Sequence, residues 1–190
     1  TKDAEEVALW KIDLEADGTR KEIRRLTSED ASYSNLQWSA DGRFLACLST
    51  RKPAAGQQLF VFDMKGGEPQ LVSESKNGVG DYEWLPDGSG IVFCSRQSEG
   101  ARREQQLRDF YGDVQRYSPQ QFQTTFYRIA SKDFSQPSAK ELASVEALVS
   151  EFALAPEGKR VACVTTGSDT FGTLGWQETE VFLLSLEGKS

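Results

Sequence analysis

The residues best equipped for chemistry gather in two segments. Arg102, Arg103, Arg108, Tyr111, Arg116 and Tyr117 fall within 97–123, and Trp176 sits beside Asp169 and Phe171 in 165–177. A guanidinium presents a planar fork that grips carboxylates through paired hydrogen bonds. Aromatic rings beside it add flat contact area. This composition suits two roles: packing a domain rim, or contacting a ligand, a neighbouring domain or another subunit. The spacing selects no particular carboxylate. Leu107, Phe110 and Tyr111 recur at i, i+3 and i+4, which predicts a short helix over 101–111. Ser118-Pro119 reads as an N-cap followed by proline at the first helical position.

Most catalytic constellations are excluded outright. The chain has no histidine, so no Ser-His-Asp or Cys-His arrangement can be completed within it. The three cysteines lack any CxxC spacing, so no zinc site is expected. No G-x-S-x-G, P-loop or G-x-G-x-x-G occurs. Adjacent acids such as Glu5-Glu6 and Glu29-Asp30 read as solvated surface. No catalytic residue, metal or cofactor is expected in these 190 residues.

A net charge of −7 argues against nucleic acid and anionic membrane as partners. No apolar run approaches the roughly 18 residues that span a bilayer, and no signal peptide opens the sequence. Cys47, Cys94 and Cys163 read as small apolar fillers in packed strands. Turn-based alignment places Cys47 and Cys163 alike in different repeats and turns Cys94 the other way. Three unpaired buried thiols point to a reducing, cytoplasmic setting.

What positions these segments is a repeat. Trp38-Ser39-Ala40-Asp41-Gly42-Arg43-Phe44 returns as Trp84-Leu85-Pro86-Asp87-Gly88-Ser89-Gly90. A worn copy runs from Ala153 through Pro156-Glu157-Gly158 to Cys163. Asp-Gly is a hairpin signal, with Gly at positive φ and Asp tolerating it. The apolar runs that follow, at 44–48, 91–94 and 161–164, read as buried strands. A second phrase supplies two more strands per unit: 58–64 then 70–72, with relatives at 8–14 then 23–26, at 126–130 then 140–142, and at 181–186.

Four antiparallel strands per unit, at a spacing of tens of residues, is the signature of a β-propeller blade. With strands named A to D, the chain reads C-D, A-B-C-D, A-B-C-D and A-B-C. The expected fold is all-β: about three and a quarter blades of a larger propeller. The pieces are 1–27, 33–73, 80–144 and 149–190, with an insertion at 97–123. Strand order puts the A–B turns on one face and the longer B–C connections on the other, where working loops of repeat folds gather.

At Trp38-Ser39-Ala40-Asp41-Gly42, Trp84-Leu85-Pro86-Asp87-Gly88 and the intervening Phe60-Val61-Phe62-Asp63-Met64-Lys65-Gly66-Gly67-Glu68-Pro69, the chain resembles the TolB-like propeller repeat. The Gly-Gly-Glu-Pro phrase looks most like propellers of the prolyl oligopeptidase family, in its acylaminoacyl peptidase and dipeptidyl peptidase branches. The resemblance implies a seven- or eight-bladed propeller joined to an α/β-hydrolase domain. That domain would carry a Ser-Asp-His triad and cleave short peptides, with the propeller filtering and orienting them. It lies outside these 190 residues. The third repeat departs from the pattern, with Glu157 for Asp and Ala153 for Trp. No motif matches a substrate-anchoring residue, so none is carried over. The alternative is a protein-docking propeller like TolB, without enzymatic activity and periplasmic in location.

Overall fold

The computed structural model describes residues 8–27, 31–51, 56–98, 122–166 and 179–186. Thirteen strands lie among the described residues, in four antiparallel sheets. A first hairpin joins β1 (Trp10–Leu14) to β2 (Arg20–Arg25). The first blade orders β3 (Tyr33–Trp38), β4 (Phe44–Ser49), β5 (Gln58–Asp63) and β6 (Gln70–Leu71). The second orders β7 (Asp81–Trp84), β8 (Gly90–Ser98), β9 (Phe122–Ala130) and β10 (Lys140–Val145). The third orders β11 (Leu148–Leu154), β12 (Arg160–Thr166) and β13 (Thr179–Ser185). The sequence pattern C-D, A-B-C-D, A-B-C-D, A-B-C is therefore the observed order. The chain is part of a larger propeller, since such folds close with about four to eight blades.

Side chains alternate across each strand, so every complete blade has two apolar faces. On β4 and β5, Ala46, Leu48, Leu59 and Val61 meet Tyr82, Ile91, Phe93 and Ile129 of the second blade. The opposite faces, with Leu45, Cys47, Phe60 and Phe62, pack on Leu9 of the first hairpin. The second and third blades meet through Val92, Cys94 and Phe126 against Phe152, Val161 and Cys163. Cys94 does turn opposite to Cys47 and Cys163, and so shares a core with Cys163. All three are free and buried. Burial pushes the Cys47 thiol up to about 12 and the Cys94 and Cys163 thiols up to about 11, so they remain neutral near pH 7.

The hairpin turns differ from expectation in one respect. The glycines take positive φ, at +68° in Gly42 and +70° in Gly88, but Asp41 and Asp87 do not. Each turn closes with the glycine N–H donating three residues back, Gly42 to Ser39 and Gly88 to Leu85. The aspartate sits just before it and uses its side chain. Asp41 Oδ1 accepts from Arg43 N at 3.0 Å, and Asp87 Oδ1 from Ser89 N at 2.9 Å. Asp17 does the same for Thr19 N in the first hairpin. Aspartate is thus chosen here as a local acceptor rather than for left-handed backbone. Glu157 is too long for that geometry and instead accepts from Arg160 Nε. Hydrogen bonds from the Thr19, Ser39 and Ser89 side chains, and after them these backbone donors, hold the carboxyls of Asp17, Asp41 and Asp87 below their ordinary range, and the Arg160 guanidinium does the same for Glu157.

Two boundaries shift. The ladder between β8 and β9 runs on through Gln97↔Gln123 to Ser98↔Phe122, so 97–98 and 122–123 belong to strands rather than to the insertion. Register also puts Leu154, opposite Val161, where Trp38 faces Leu45 and Trp84 faces Ile91. Leu154, not Ala153, therefore stands at the tryptophan position.

Gly90 and Gly42 make a graded test. A Cβ on Gly90 would lie 2.2 Å from the Ile129 carbonyl oxygen, whereas one on Gly42 meets nothing within 4 Å. Gly90→Ala should cost about 3 kcal/mol, the upper end for overpacking, because the clash is with backbone. Gly42→Ala should cost about 1 kcal/mol, through positive φ alone. Urea midpoints of the two variants check the order, which an equal or reversed pair of losses would contradict.

Candidate functional site

The inner strands β3, β7 and β11 carry the polar groups with the most specific surroundings. Ladder register aligns Asn35-Leu36-Gln37-Trp38 with Asp81-Tyr82-Glu83-Trp84 and Glu151-Phe152-Ala153-Leu154. The first two quartets are amide and acid versions of one pattern. Their side chains stitch one blade to the next. Gln37 Nε2 donates to the Tyr82 carbonyl at 3.0 Å, and Asn35 Nδ2 to Asp81 Oδ1 at 2.7 Å. In the reverse direction Trp84 Nε1 donates to the Gln37 carbonyl at 3.1 Å, and Tyr82 Oη to the Asn35 carbonyl. Glu83 Oε2 accepts from Leu154 N at 2.6 Å, and Arg96 Nη2 donates to the Ser150 carbonyl at 3.0 Å.

The two seams therefore differ in kind. Neutral amide, indole and phenol groups make most of the first. Charged Glu83 and Arg96 make the second. Burial raises the Asp81 carboxyl above its ordinary value; the Tyr82 N–H and Arg96 oppose the shift and Glu151 adds to it. Burial also raises Glu83, against the Leu154 N–H. Titratable groups with raised values in a concave site are candidates for acid–base work. Here each faces backbone donors of the neighbouring strand, so the arrangement binds blade to blade. Among the described residues no three His, Cys, Asp or Glu are placed to hold a metal ion.

Two recesses open away from the inner strands, between the first and second blades. One of about 300 Å³ is lined by Ser75, Lys76, Phe93, Gln97 and Tyr127. Its floor is the stacked pair Phe93–Tyr127, with centroids 5.2 Å apart. The other, about 390 Å³, lies at the A–B turns, lined by Asp41, Arg43, Asp63, Lys132 and Phe134. Arg43 is held there by Asp63 Oδ2 at 2.9 Å, above the Phe44 ring.

Arg102, Arg103, Arg108, Tyr111, Arg116, Tyr117 and Trp176 lie outside the described residues, as do the helix expected at 101–111 and the Ser118-Pro119 turn. The inner-strand set Asn35, Gln37, Asp81 and Glu83, with Arg96 of the adjacent β8, escaped the sequence reading. Its signal was present: a polar residue at every second position of two short segments, each ending in Trp, where an ordinary inner strand would be apolar throughout.

No protein-family model matches the chain. Over 92 residues, 47% of the chain, it is 33% identical to an uncharacterized peptidase, YuxL, of Bacillus subtilis (strain 168). Among solved structures, TolB from Acinetobacter baumannii superposes with a TM-score of 0.55 at 19% identity, over 98% of this chain and 37% of that one. A prolyl endopeptidase gives 0.52 at 17% identity, over 86% of this chain and 23% of that one. An oligogalacturonate lyase in complex with manganese gives 0.57 at 15% identity, over 91% and 38%. This chain is propeller sequence with a peptidase for kin. The structural likenesses establish fold alone. Partial sequence likeness to a peptidase and a propeller fold are what the comparisons give. The chain spans 14% of the YuxL length and well under half of each solved propeller protein.

Glu83 gives the seam a pH signature. Its folded value is raised above the ordinary 4.5. The folded state therefore holds the proton more tightly, and stability from this group grows as pH falls through the folded value towards 4.5. Above the folded value that contribution is lost. Gln37 shows that an amide fits the same position. Glu83→Gln should be the more stable chain at pH 7.5, with its advantage shrinking by pH 5; urea denaturation at both values checks this. A constant difference would contradict it.

Proposed function

We propose that this chain is the non-catalytic propeller portion of a serine exopeptidase or oligopeptidase, filtering short peptides and orienting them for an α/β-hydrolase domain. The observation that carries the reading is the sequence identity with a peptidase, over nearly half of a chain that has no histidine. A triad needs a general base, so hydrolysis must reside in another part of the polypeptide. The role left for the propeller is steric and electrostatic. Rigid blades wall a space that admits an extended peptide and rejects a folded chain. The exposed acid Glu151, on the inner strand β11, fits the positive amino terminus of a short peptide. The loop residues Arg102, Arg103, Arg108 and Arg116, with Tyr111, Tyr117 and Trp176, supply donors and rings for the peptide or for the hydrolase domain.

The test uses the full-length protein that contains this chain. It should release chromophore from aminoacyl chromogenic substrates, and a serine-directed inhibitor should abolish the turnover. Peptides should be cleaved and folded proteins spared. The 190-residue chain alone should hydrolyse nothing. Absence of inhibitor-sensitive turnover in the full-length protein would count against the peptidase reading. Turnover by the 190-residue chain would place catalysis where no base exists.

A further inference from the structure

The loop at 72–80, between the first and second blades, is held by buried hydroxyl and amide groups. Ser73 Oγ accepts from Leu59 N at 2.8 Å and donates to Gln58 Oε1 at 2.7 Å. The Gln58 amide grips Ser75 twice, accepting from its N–H at 3.1 Å and donating to its carbonyl at 2.6 Å. Ser75 Oγ bonds to Ser95 Oγ of β8, which donates to the Gly78 carbonyl at 2.9 Å. Gly78 closes the turn at φ +77°, where a Cβ would lie 3.0 Å from the Gln57 carbonyl oxygen. This fixed loop presents three side chains that the fold does not use. Glu74, Lys76 and Asn77 are exposed and line the recess of about 300 Å³ beside the Phe93–Tyr127 stack. Among the described residues none of the three makes a hydrogen bond or an ion pair. Glu74 and Lys76 stand two residues apart and do not pair, whereas Lys11 and Asp13, at the same spacing, meet at 2.9 Å. Phe93 is 1% exposed and backs the half-buried ring of Tyr127.

We propose that this recess binds a free aromatic amino acid. The ligand's ring lies against Tyr127, in the offset or edge-on contact that aromatic pairs favour. Its carboxylate meets the Lys76 ammonium and the Asn77 amide, and its ammonium meets Glu74. One cation, one anion and one ring in a single recess answer the three groups that such a ligand carries. A dianion or a lone cation would leave a charged side chain of the recess unanswered. The volume lies at the small end of ligand sites and suits one residue. The buried network behind the loop sets Lys76 and Glu74 in place before binding, which lowers the ordering cost. All of these residues belong to this chain, so the site owes nothing to a hydrolase domain.

The test titrates phenylalanine into the 190-residue chain at pH 7 and follows the amides of Ser75, Lys76, Asn77 and Gly78 by NMR. Saturable shifts are expected, with a Kd of about 1–10 mM for a ligand of about twelve non-hydrogen atoms. N-acetylphenylalanine lacks the ammonium and phenylalaninamide lacks the carboxylate; each should bind about threefold more weakly. Leucine, without a ring, should also bind more weakly. Lys76→Ala should weaken phenylalanine about threefold and leave phenylalaninamide unchanged. Glu74→Gln should weaken phenylalanine and leave N-acetylphenylalanine unchanged. Both positions are exposed, so the variants keep the fold. The same Lys76→Ala loss should appear in equilibrium dialysis of the full-length protein. No saturable shift up to the solubility of phenylalanine would overturn the proposal. So would variant losses that ignore which charge the ligand lacks. Phenylalaninamide binding more tightly than phenylalanine would make this a cation site and refute the assigned ligand.

Discussion

Everything in this structure depends on a sheet that is apolar on both faces and must be sandwiched. A single four-stranded blade cannot hide Leu45, Cys47, Phe60 and Phe62 on one side and Ala46, Leu48, Leu59 and Val61 on the other. Burial is worth about 25 cal/mol per Å² of apolar surface, so each blade requires a neighbour. The inner strands then face a second demand. They lie where three sheets converge, and their polar groups cannot all reach water. Gln37, Asn35, Glu83, Trp84 and Tyr82 meet that demand by bonding to the adjacent blade. Packing brings the blades together, and these bonds fix the register in which they meet.

Much of this was legible in the chain itself, because the repeat uses local chemistry. Asp41-Gly42 and Asp87-Gly88 announced turns through residue types that solve a local backbone problem. Alternating and apolar runs placed thirteen strands in the right order. The sequence misled where one residue type has two uses. Aspartate in the turn was expected to tolerate left-handed backbone, and it is instead a side-chain acceptor. In the worn third copy Leu154, four residues before Gly158 as Trp38 and Trp84 are before Gly42 and Gly88, holds the tryptophan position, and its pairing with Val161 shows it. The alternating polar residues of the inner strands are visible in the sequence, but their partners are not: they lie 45 to 71 residues away, mostly on backbone atoms, and no local pattern reveals such a bond.

The same geometry explains why chemistry is sparse here. Residues on β-strands sandwiched between sheets are committed to packing, and carboxylates that reach the seam are committed to backbone donors. Function in such a scaffold falls to the edges: connecting loops, inner-strand ends and the open faces of terminal sheets. The exposed Leu36 and Trp38 and the recess lined by Phe93 and Tyr127 lie at such edges.

The claim beneath all of this is that neighbouring blades press face to face across a specific seam. Phe126 of the second blade meets Phe152 of the third edge-on, with ring centroids 5.2 Å apart. A double-mutant cycle with Phe126→Leu and Phe152→Leu, read by urea denaturation, isolates that contact. Aromatic pairs of this geometry couple by about 0.5–1.5 kcal/mol, and a favourable coupling in that range is the predicted result. Strict additivity of the two losses would mean that the rings do not meet and that the blades are not stacked as described.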